Sequence, residues 1–312
     1  MTSFSAMTKE ALSILPVKPA HCRRAELSAI AACIGLVDFD EDDRLLFVLQ
    51  SESLPVMTRA DFLLRALTGE APETEAVRGA GLKAPVLSLI VRRPGTVDRL
   101  LKELGFMTGK GVLREFSAAA PKALLEKECC RRAFLRGAFL AAGFIRDPNL
   151  DYHAELLASG EARAAEMKQL LEGFGIPSRI THRKGTPVVY IKEAEAISDF
   201  LSVIGASRSR LEWENVRIIR SIQGDVNRRV NCETANLKKT ADAGMDQVRA
   251  IRRIERERGL RNLPDQLRMI AELRLEHPDV SLQELGTLLD PPLGKSGVNH
   301  RMRKIMDIAD QL

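Results

Sequence analysis

The sequence has no long run of uncharged residues. The longest, residues 27–37, contains eleven residues, whereas a helix that crosses a membrane needs about twenty. The first residues also lack a charged start, an apolar stretch and a small-residue cleavage site in the order of a signal peptide. We therefore expect no membrane insertion and a location in the cytoplasm.

Cysteine is scarce and irregularly spaced. The five cysteines are Cys22, Cys33, Cys129, Cys130 and Cys232, and no two of them form a C-x-x-C pair. An odd number does not suit a disulfide framework, and a zinc ribbon needs C-x-x-C pairs. The spacing predicts reduced, partly buried thiols, and we expect neither a bound metal nor a cofactor.

Neither sign of charge dominates the composition. Lys and Arg number 47 against 42 Asp and Glu, which gives a net charge of +5 at pH 7. This balance permits a polyanionic partner without requiring one. The length of 312 residues, of which 45% are hydrophobic, predicts about two globular domains.

The first two thirds of the chain contain an internal repeat. At an offset of 108 residues, CRRA at 22–25 aligns with CRRA at 130–133. A second echo, LLKELG at 100–105 against FLSVIG at 200–205, closes each half. Two echoes in the same order indicate a duplicated unit.

Both halves show the same order of predicted elements, which is helix, two strands, helix, two strands, helix. Helical spacing of apolar residues separates segments with strand signals. The predicted strands are 45–50, 85–91, 153–158, 178–183 and 188–191.

The opening helix of each half is rich in small residues. LSAIAACIG at 27–35 and LRGAFLAAG at 135–143 concentrate small side chains along a face, at Ala29, Ala32, Gly137 and Ala141. Small side chains let two helix backbones approach closely. We expect the halves to pack through these helices across a pseudo-twofold axis, with their sheets forming a shared concave surface.

Both nonapeptides resemble the LAGLIDADG motif of homing endonucleases. That resemblance implies helix ends whose acidic residues hold a divalent metal, which activates water for phosphodiester hydrolysis. Here the sixth positions are Ala32 and Leu140, and the eighth are Ile34 and Ala142. None of these side chains binds a metal, so the residues predict degenerate metal positions and no cleavage.

Acidic residues do occur just beyond these helices, at Asp38, at 40–43 and at Asp147. Because they lie a turn or more past the helix ends, we interpret them as parts of solvated turns. The alternative is a residual metal-dependent DNA endonuclease that uses Asp38 or Asp147.

From about residue 224, helix signals replace strand signals. An apolar face at 267–273 precedes a capping box, Ser281 to Glu284. Two prolines at 291–292 end that helix, and an apolar stripe follows at 298–308. This order predicts a helix-turn-helix of support, scaffold and recognition helices.

The predicted recognition helix carries basic and polar residues, with no acid from 295 to 304. Its start suits phosphate binding, Asn299 suits adenine, and Arg303 suits guanine or phosphate. The predicted DNA-binding residues are Lys295, Ser296, Asn299, His300, Arg301, Arg303 and Lys304. The alternative is a charged surface helix without a DNA role.

A second polar stretch at 227–239 presents one helical stripe. Its candidates for contacts to the nucleic-acid backbone are Asn227, Arg228, Asn231 and Lys238. The same residues would also suit a face turned to water, and the pattern favours neither interpretation.

Three strings resemble the bacterial WhiA family, together with the degenerate LAGLIDADG halves. They are NRRVNCETANLKKT, LPDQLRMIAELRLEHPD and SLQELGTLLDPPLGKSGVNHRMRKI. The resemblance covers nearly the whole chain beyond residue 20. It implies a DNA-binding regulator linked to cell division and chromosome segregation, and to sporulation in some actinobacteria.

The predicted fold is α+β, with a duplicated LAGLIDADG-type αββαββα saddle domain before an all-α helix-turn-helix domain. We assign residues 1–20 to an N-terminal tail, 21–117 and 118–222 to the two halves, and 223–312 to the helical domain, with the helix-turn-helix at about 280–312.

The predicted function is non-catalytic, sequence-specific binding of double-stranded DNA by a nucleoid-associated transcriptional regulator. A third hypothesis, beside the endonuclease and the regulator, is a protein-interaction module. In it, the duplicated domain docks a protein of the transcription or division machinery, and the helix-turn-helix localises it.

Overall fold

The duplication predicted from the sequence is present in the fold. The structure is a computed structural model that describes residues 3–78 and 85–312. The chain divides into two units, Met1–Arg220 and Ser221–Leu312, and the first contains both halves. The first half consists of α2 (Ala20–Ile34), β1 (Gly35–Phe39), β2 (Leu45–Ser51), α3 (Leu54–Thr68), β3 (Glu73–Val77), β4 (Val86–Val91) and α4 (Pro94–Leu104). The second consists of α5 (Glu128–Ala142), β5 (Gly143–Ile145), β6 (Ala154–Leu157), α6 (Glu161–Gly173), β7 (Arg179–Arg183), β8 (Thr186–Ile191) and α7 (Ala194–Ile204).

The two halves build equivalent antiparallel sheets. Their strand orders are β1-β2-β4-β3 and β5-β6-β8-β7. Leu49 lies opposite Gly35 and Leu89 in the first sheet, and Leu156 lies opposite Gly143 and Val189 in the second. The register therefore repeats along with the element order, which confirms the predicted architecture.

Strand β3 was not among the strands predicted from the sequence. All five residues of ETEAV are exposed, so no alternation of apolar and polar residues marks the strand. Backbone pairing with β4 holds it at the sheet edge, with Thr74 opposite Leu89, and Arg92 also pairs with Glu73. Cross-strand pairing, which local sequence does not reveal, decides this element.

The predicted N-terminal tail differs from the structure, in which most of it is packed. Helix α1 (Phe4–Ser13) buries Phe4, Thr8 and Leu12. The Thr8 hydroxyl donates to Ser209 Oγ at 2.9 Å, and the rings of Phe4 and Trp213 lie 5.8 Å apart. The sequence signal was weak because several of the buried positions of α1 are polar.

Helices α2 and α5 pack against each other at the centre of the first unit. A Cβ atom added to Gly137 would lie 2.3 Å from the carbonyl oxygen of Glu26 and 3.1 Å from Ala29 Cβ. The helix backbones are therefore nearly in contact, which confirms the predicted packing through small residues.

A buried ionic cluster ties α2, α3 and α5 together. Glu26 is fully buried, and it accepts from Arg59 Nε at 2.6 Å and from Arg59 Nη2 at 3.0 Å. Arg136 Nη2 donates to the same carboxylate at 2.7 Å. Arg136 also donates to the Ile204 carbonyl at 3.3 Å, so the network reaches the last helix of the second half.

The remaining helices run from the end of the first unit through the second unit. They are α8 (Ser207–Glu257), α9 (Asp265–Glu276), α10 (Leu282–Thr287) and α11 (Lys295–Asp310). The end of α8 contributes Ile251 and Ile254 to a core with Ile270, Val298 and Ile305. None of the helices in the described ranges is long and apolar enough to span a membrane.

Candidate nucleic-acid interface

The predicted capping box is formed at the start of α10. The Glu284 amide donates to Ser281 Oγ at 3.2 Å, and the Ser281 amide donates to Glu284 Oε2 at 2.8 Å. The bond from the Ser281 amide and, to a smaller extent, the Ser281 hydroxyl lower the pKa of the Glu284 carboxyl. The box satisfies two backbone donors and fixes where the scaffold helix begins.

The end of α10 differs from the prediction. The helix stops at Thr287, before the two prolines that were predicted to end it, and the next residue, Leu288, is 49% exposed. Leu285 and Leu289 are buried. Leu289 remains in the core because the turn itself packs onto the helices.

Two glycines, Gly286 and Gly297, allow the turn between α10 and α11 to pack closely against both helices. The Leu293 amide donates to the Gly286 carbonyl at 2.9 Å. An added Cβ at Gly286 would lie 2.0 Å from the Leu293 carbonyl oxygen, and one at Gly297 would lie 2.7 Å from Leu293 Cδ2. The local sequence does not reveal this contact, because it depends on the path of the turn.

A buried arginine fixes the other connection of the helix-turn-helix, between α9 and α10. Arg274 is 1% exposed, and its Nη1 donates to the carbonyl oxygens of His277, Pro278 and Val280 at 3.2, 3.2 and 2.7 Å. Burial lowers the pKa of its guanidinium. Nothing in the local sequence distinguished this arginine from the exposed ones.

Helix α11 is amphipathic as predicted. Val298, Met302 and Ile305 are buried on one side. Of the predicted DNA-binding residues, Lys295, Ser296, His300, Arg303 and Lys304 are exposed, and Asn299 and Arg301 are partly exposed. Within residues 221–312, all of them described, no carboxylate forms an ion pair with a cation of α11.

The dimensions of α11 suit the major groove. The nine residue steps from Lys295 to Lys304 span about 14 Å of helix axis at 1.5 Å per residue. This length matches about four base-pair steps, and a helix of 10–12 Å diameter fits a groove about 12 Å wide. Gly294 caps the helix without a side-chain bond, which leaves the first amides available to a phosphate.

The second polar stretch lies on the exposed part of α8. Asn227, Arg228, Asn231 and Lys238 are all exposed. Arg228 pairs with Asp225 one turn earlier, so part of its charge is already used within the helix. Their proposed contact with the nucleic-acid backbone stays a prediction.

The two positions predicted to be degenerate metal sites, Ile34 and Ala142, have apolar side chains. Ile34, at the end of α2, packs against the core of the first half, and Ala142 ends α5. Among residues 3–78 and 85–312, no three acidic side chains come close enough to share an ion.

The acidic residues near the helix ends accept hydrogen bonds from backbone amides close to them in the chain. Asp38 accepts from the Phe39 amide at 2.9 Å, and Asp147 accepts from the Asn149 amide at 2.8 Å. Asp40 accepts from the Arg44 and Asp42 amides, and these bonds lower the pKa of its carboxyl. Asp40 and Asp147 thus lie in turns as interpreted, whereas Asp38 differs from that interpretation because it lies in strand β1, opposite Leu46.

The outer face of the first sheet is a poor surface for phosphate. Leu46, Val48 and Ile90 form an apolar cluster there. At the edge, the cation Arg92 is already paired with Glu73 at 2.6 Å.

In the second sheet, a cation is likewise paired with a carboxylate of the same sheet. Arg183 donates twice to Glu155, at 3.0 and 2.7 Å, and His153 Nε2 lies 3.2 Å from the same carboxylate. Burial would raise the pKa of Glu155, but these hydrogen bonds outweigh burial and lower it. Arg92 and Arg183 are thus already paired with carboxylates of their own sheets, unlike the cations of α11.

Known proteins resemble the chain over both units. Residues 226–309 match the WhiA C-terminal HTH domain, and residues 131–223 match the WhiA LAGLIDADG-like domain. A Heliobacterium modesticaldum protein named "Probable cell division protein WhiA" is 41% identical over 311 residues, covering 99% of this chain and 96% of that protein. A protein of the same name from Desulfitobacterium hafniense (strain Y51) is 43% identical over 310 residues, with the same coverage. The crystal structure of full-length DUF199/WhiA from Thermatoga maritima gives a TM-score of 0.58 at 27% identity and covers 99% of both chains.

Proposed function

Because the chain belongs to the WhiA family, we propose that it is a sequence-specific DNA-binding protein without nuclease activity, which regulates transcription in cell division and chromosome segregation. The observation that carries this proposal is the exposed, unpaired basic face of α11 on a complete helix-turn-helix. The names of the relatives support a role in cell division. Binding to chromosomal DNA would place the protein on the nucleoid.

Each part of the helix-turn-helix has a task in this proposal. Helices α9 and α10 hold α11, whose start binds phosphate through Lys295, Ser296 and free backbone amides. Asn299 and Arg303 are one helical turn apart, so both can face the base edges. Each good bidentate base contact contributes about 1–3 kcal/mol of discrimination.

We expect Asn299→Ala and Arg303→Ala each to weaken binding to a duplex selected from a random pool by about 5- to 150-fold, because each removes a contact worth about 1–3 kcal/mol. Binding to a scrambled duplex should change much less. Lys295→Ala should weaken binding to both duplexes and reduce the salt dependence by about one ion. Fluorescence anisotropy at several salt concentrations measures all three effects.

Arg256→Ala is the matched control, since Arg256 is an exposed arginine of α8 outside the proposed reading surface. Its affinity should equal that of the unchanged protein. If Asn299→Ala and Arg303→Ala bind the selected duplex as tightly as this control does, α11 does not read the sequence.

The absence of cleavage is a separate proposal. Metal stabilisation of a transition state contributes several kcal/mol, and about 1.4 kcal/mol corresponds to a tenfold change in rate. Since the carboxylates of Asp38 and Asp147 already accept hydrogen bonds from nearby backbone amides, we expect supercoiled plasmid to stay intact with Mg²⁺ or Mn²⁺. Nicking that Asp147→Ala abolishes and Asp151→Ala preserves would instead establish the endonuclease. Docking of a protein from the transcription or division machinery on the duplicated domain stays a prediction.

A further inference from the structure

Four metal-binding side chains meet where the two central helices begin. The donor atoms of His21, Cys22, Cys129 and Cys130 all lie within 4.8 Å of one another. His21 Nδ1 is 3.1 Å from Cys130 Sγ and 3.3 Å from Cys22 Sγ. No disulfide joins these cysteines.

The duplication accounts for this arrangement. His21 and Cys129 are 108 residues apart, as are Cys22 and Cys130, which is the offset of the repeat. Each dipeptide lies in the first turn of its helix, α2 or α5. Because these two helices pack against each other, their first turns bring two half-sites together into one cluster.

We propose that these four side chains bind one Zn²⁺ ion through three thiolates and one imidazole. Cys₃His is a common ligand set of structural zinc sites, with Zn–S at about 2.3 Å and Zn–N at about 2.0–2.1 Å. A tetrahedron with these bonds separates its donor atoms by about 3.5–3.8 Å. The observed separations bracket that range, so small rotations of the side chains would complete the site.

The surroundings of the cluster would let an ion enter from solvent and would supply all four of its ligands from the protein. Cys22 and Cys130 are buried, His21 is partly buried and Cys129 is exposed. A cavity of about 400 Å³ opens beside the cluster, where His21, Lys127 and Cys130 contribute to its wall. An ion can therefore enter from solvent and then be held by four protein ligands, as in structural rather than catalytic zinc sites.

The charge of the occupied site suits its position in the fold. A divalent cation would hold three deprotonated thiols directly and neutralise most of their charge. The N-termini of two helices favour the net negative charge that remains on a Cys₃His site.

The proposed ion would join the two halves. It would clamp the starts of α2 and α5, whereas the degenerate nuclease positions Ile34 and Ala142 lie at the opposite ends of the same helices. Fifteen residues of helix separate those ends by about 20 Å. The role is therefore structural, and it is independent of nuclease chemistry and of the proposed DNA binding.

The test uses the full chain without an affinity tag, reduced and stripped of metal, and titrated with Co²⁺ and then Zn²⁺. We expect one equivalent of Co²⁺ to give the absorption of a tetrahedral site with thiolate charge transfer, and Zn²⁺ to displace it. Cys22→Ser and Cys129→Ser should each lose this spectrum. Cys232→Ser, at an exposed position of α8, should keep it.

Thermal unfolding, monitored by the fluorescence of Trp213, provides a second readout. Zinc should raise the midpoint for the unchanged protein and for Cys232→Ser, because a ligand that binds only the folded state stabilises it. It should not do so for Cys129→Ser. Cys129 is exposed, so its substitution leaves the core intact even where Cys22→Ser does not fold.

Three results would overturn the proposal. The first is binding of less than one equivalent of Zn²⁺ by the reduced protein, and the second is an octahedral Co²⁺ spectrum. The third is equal binding by Cys129→Ser and Cys232→Ser. DNA affinity enters none of these measurements, so failure here would leave the proposed function untouched.

Discussion

Glu26→Gln is expected to destabilise the first unit by about 3–5 kcal/mol, because it removes the only buried negative charge of a cluster and leaves two arginines uncompensated. Arg59 and Arg136 are 1% and 7% exposed, so water cannot replace the lost carboxylate. Glutamine keeps the size of the side chain, and the effect therefore reports charge rather than packing. The change acts at the interface of α2, α3 and α5, on which both halves depend.

Urea denaturation, monitored by tryptophan fluorescence, measures this effect. The chain has a single tryptophan, and Trp213 is fully buried in the first unit. Glu103→Gln is the matched control, since Glu103 pairs with Arg24 at 3.0 Å but both side chains are partly exposed. Such a pair contributes at most about 1 kcal/mol. Equal midpoints for the two variants would show that the buried cluster does not depend on its charge.

Gly286→Ala is expected to destabilise the helix-turn-helix by about 1–3 kcal/mol or more and to reduce DNA binding. The added methyl group would lie 2.0 Å from the Leu293 carbonyl oxygen and 3.0 Å from Val298 Cγ2. Because the first of these atoms belongs to the backbone, the turn and the start of α11 must move to make room. Displacement of α11 alters the spacing of the phosphate and base contacts together.

Gly224→Ala is the same substitution at a permissive place. Gly224 lies within α8, and an added Cβ would meet nothing closer than Arg228 Nη1 at 3.8 Å. Alanine in an exposed helix is favoured over glycine by about 1 kcal/mol, so this variant should be as stable as the parent or slightly more stable.

Helical circular dichroism during heating and the anisotropy assay compare the two glycine variants. Trp213 fluorescence should show unchanged unfolding of the first unit in both. A Gly286→Ala protein that melts and binds DNA like Gly224→Ala would show that the turn tolerates a side chain at this position.

Features that depend on neighbouring residues were predictable. The capping box from Ser281 to Glu284, the amphipathic stripe of α11 and the order of elements in each half are short-range patterns, and the structure contains them. The loss of metal ligands at Ile34 and Ala142 likewise needed only residue identities. The DNA-binding role of the exposed residues on α11 stays a prediction, because no DNA contact tests it.

Features that join distant parts of the chain were not predictable in the same way. The edge strand β3 has no apolar alternation, and α1 was assigned to a tail. No residue close to Glu26 in the sequence indicates that two arginines from other helices pair with it. The expectation of no metal site rested on C-x-x-C spacing, which does not detect ligands supplied by two halves of a repeat, although the offset of 108 between the dipeptides was visible.

The sequence by itself determined the helices and strands that carry a regular apolar pattern, that the unit is duplicated, and which face of the last helix is basic. These properties follow from side-chain periodicity and capping within a few residues. Only the tertiary structure decided which buried charges are compensated, at which glycines an added side chain would collide with its neighbours, and which thiols lie close together. Those properties depend on distances between residues far apart in the chain, which packing alone sets.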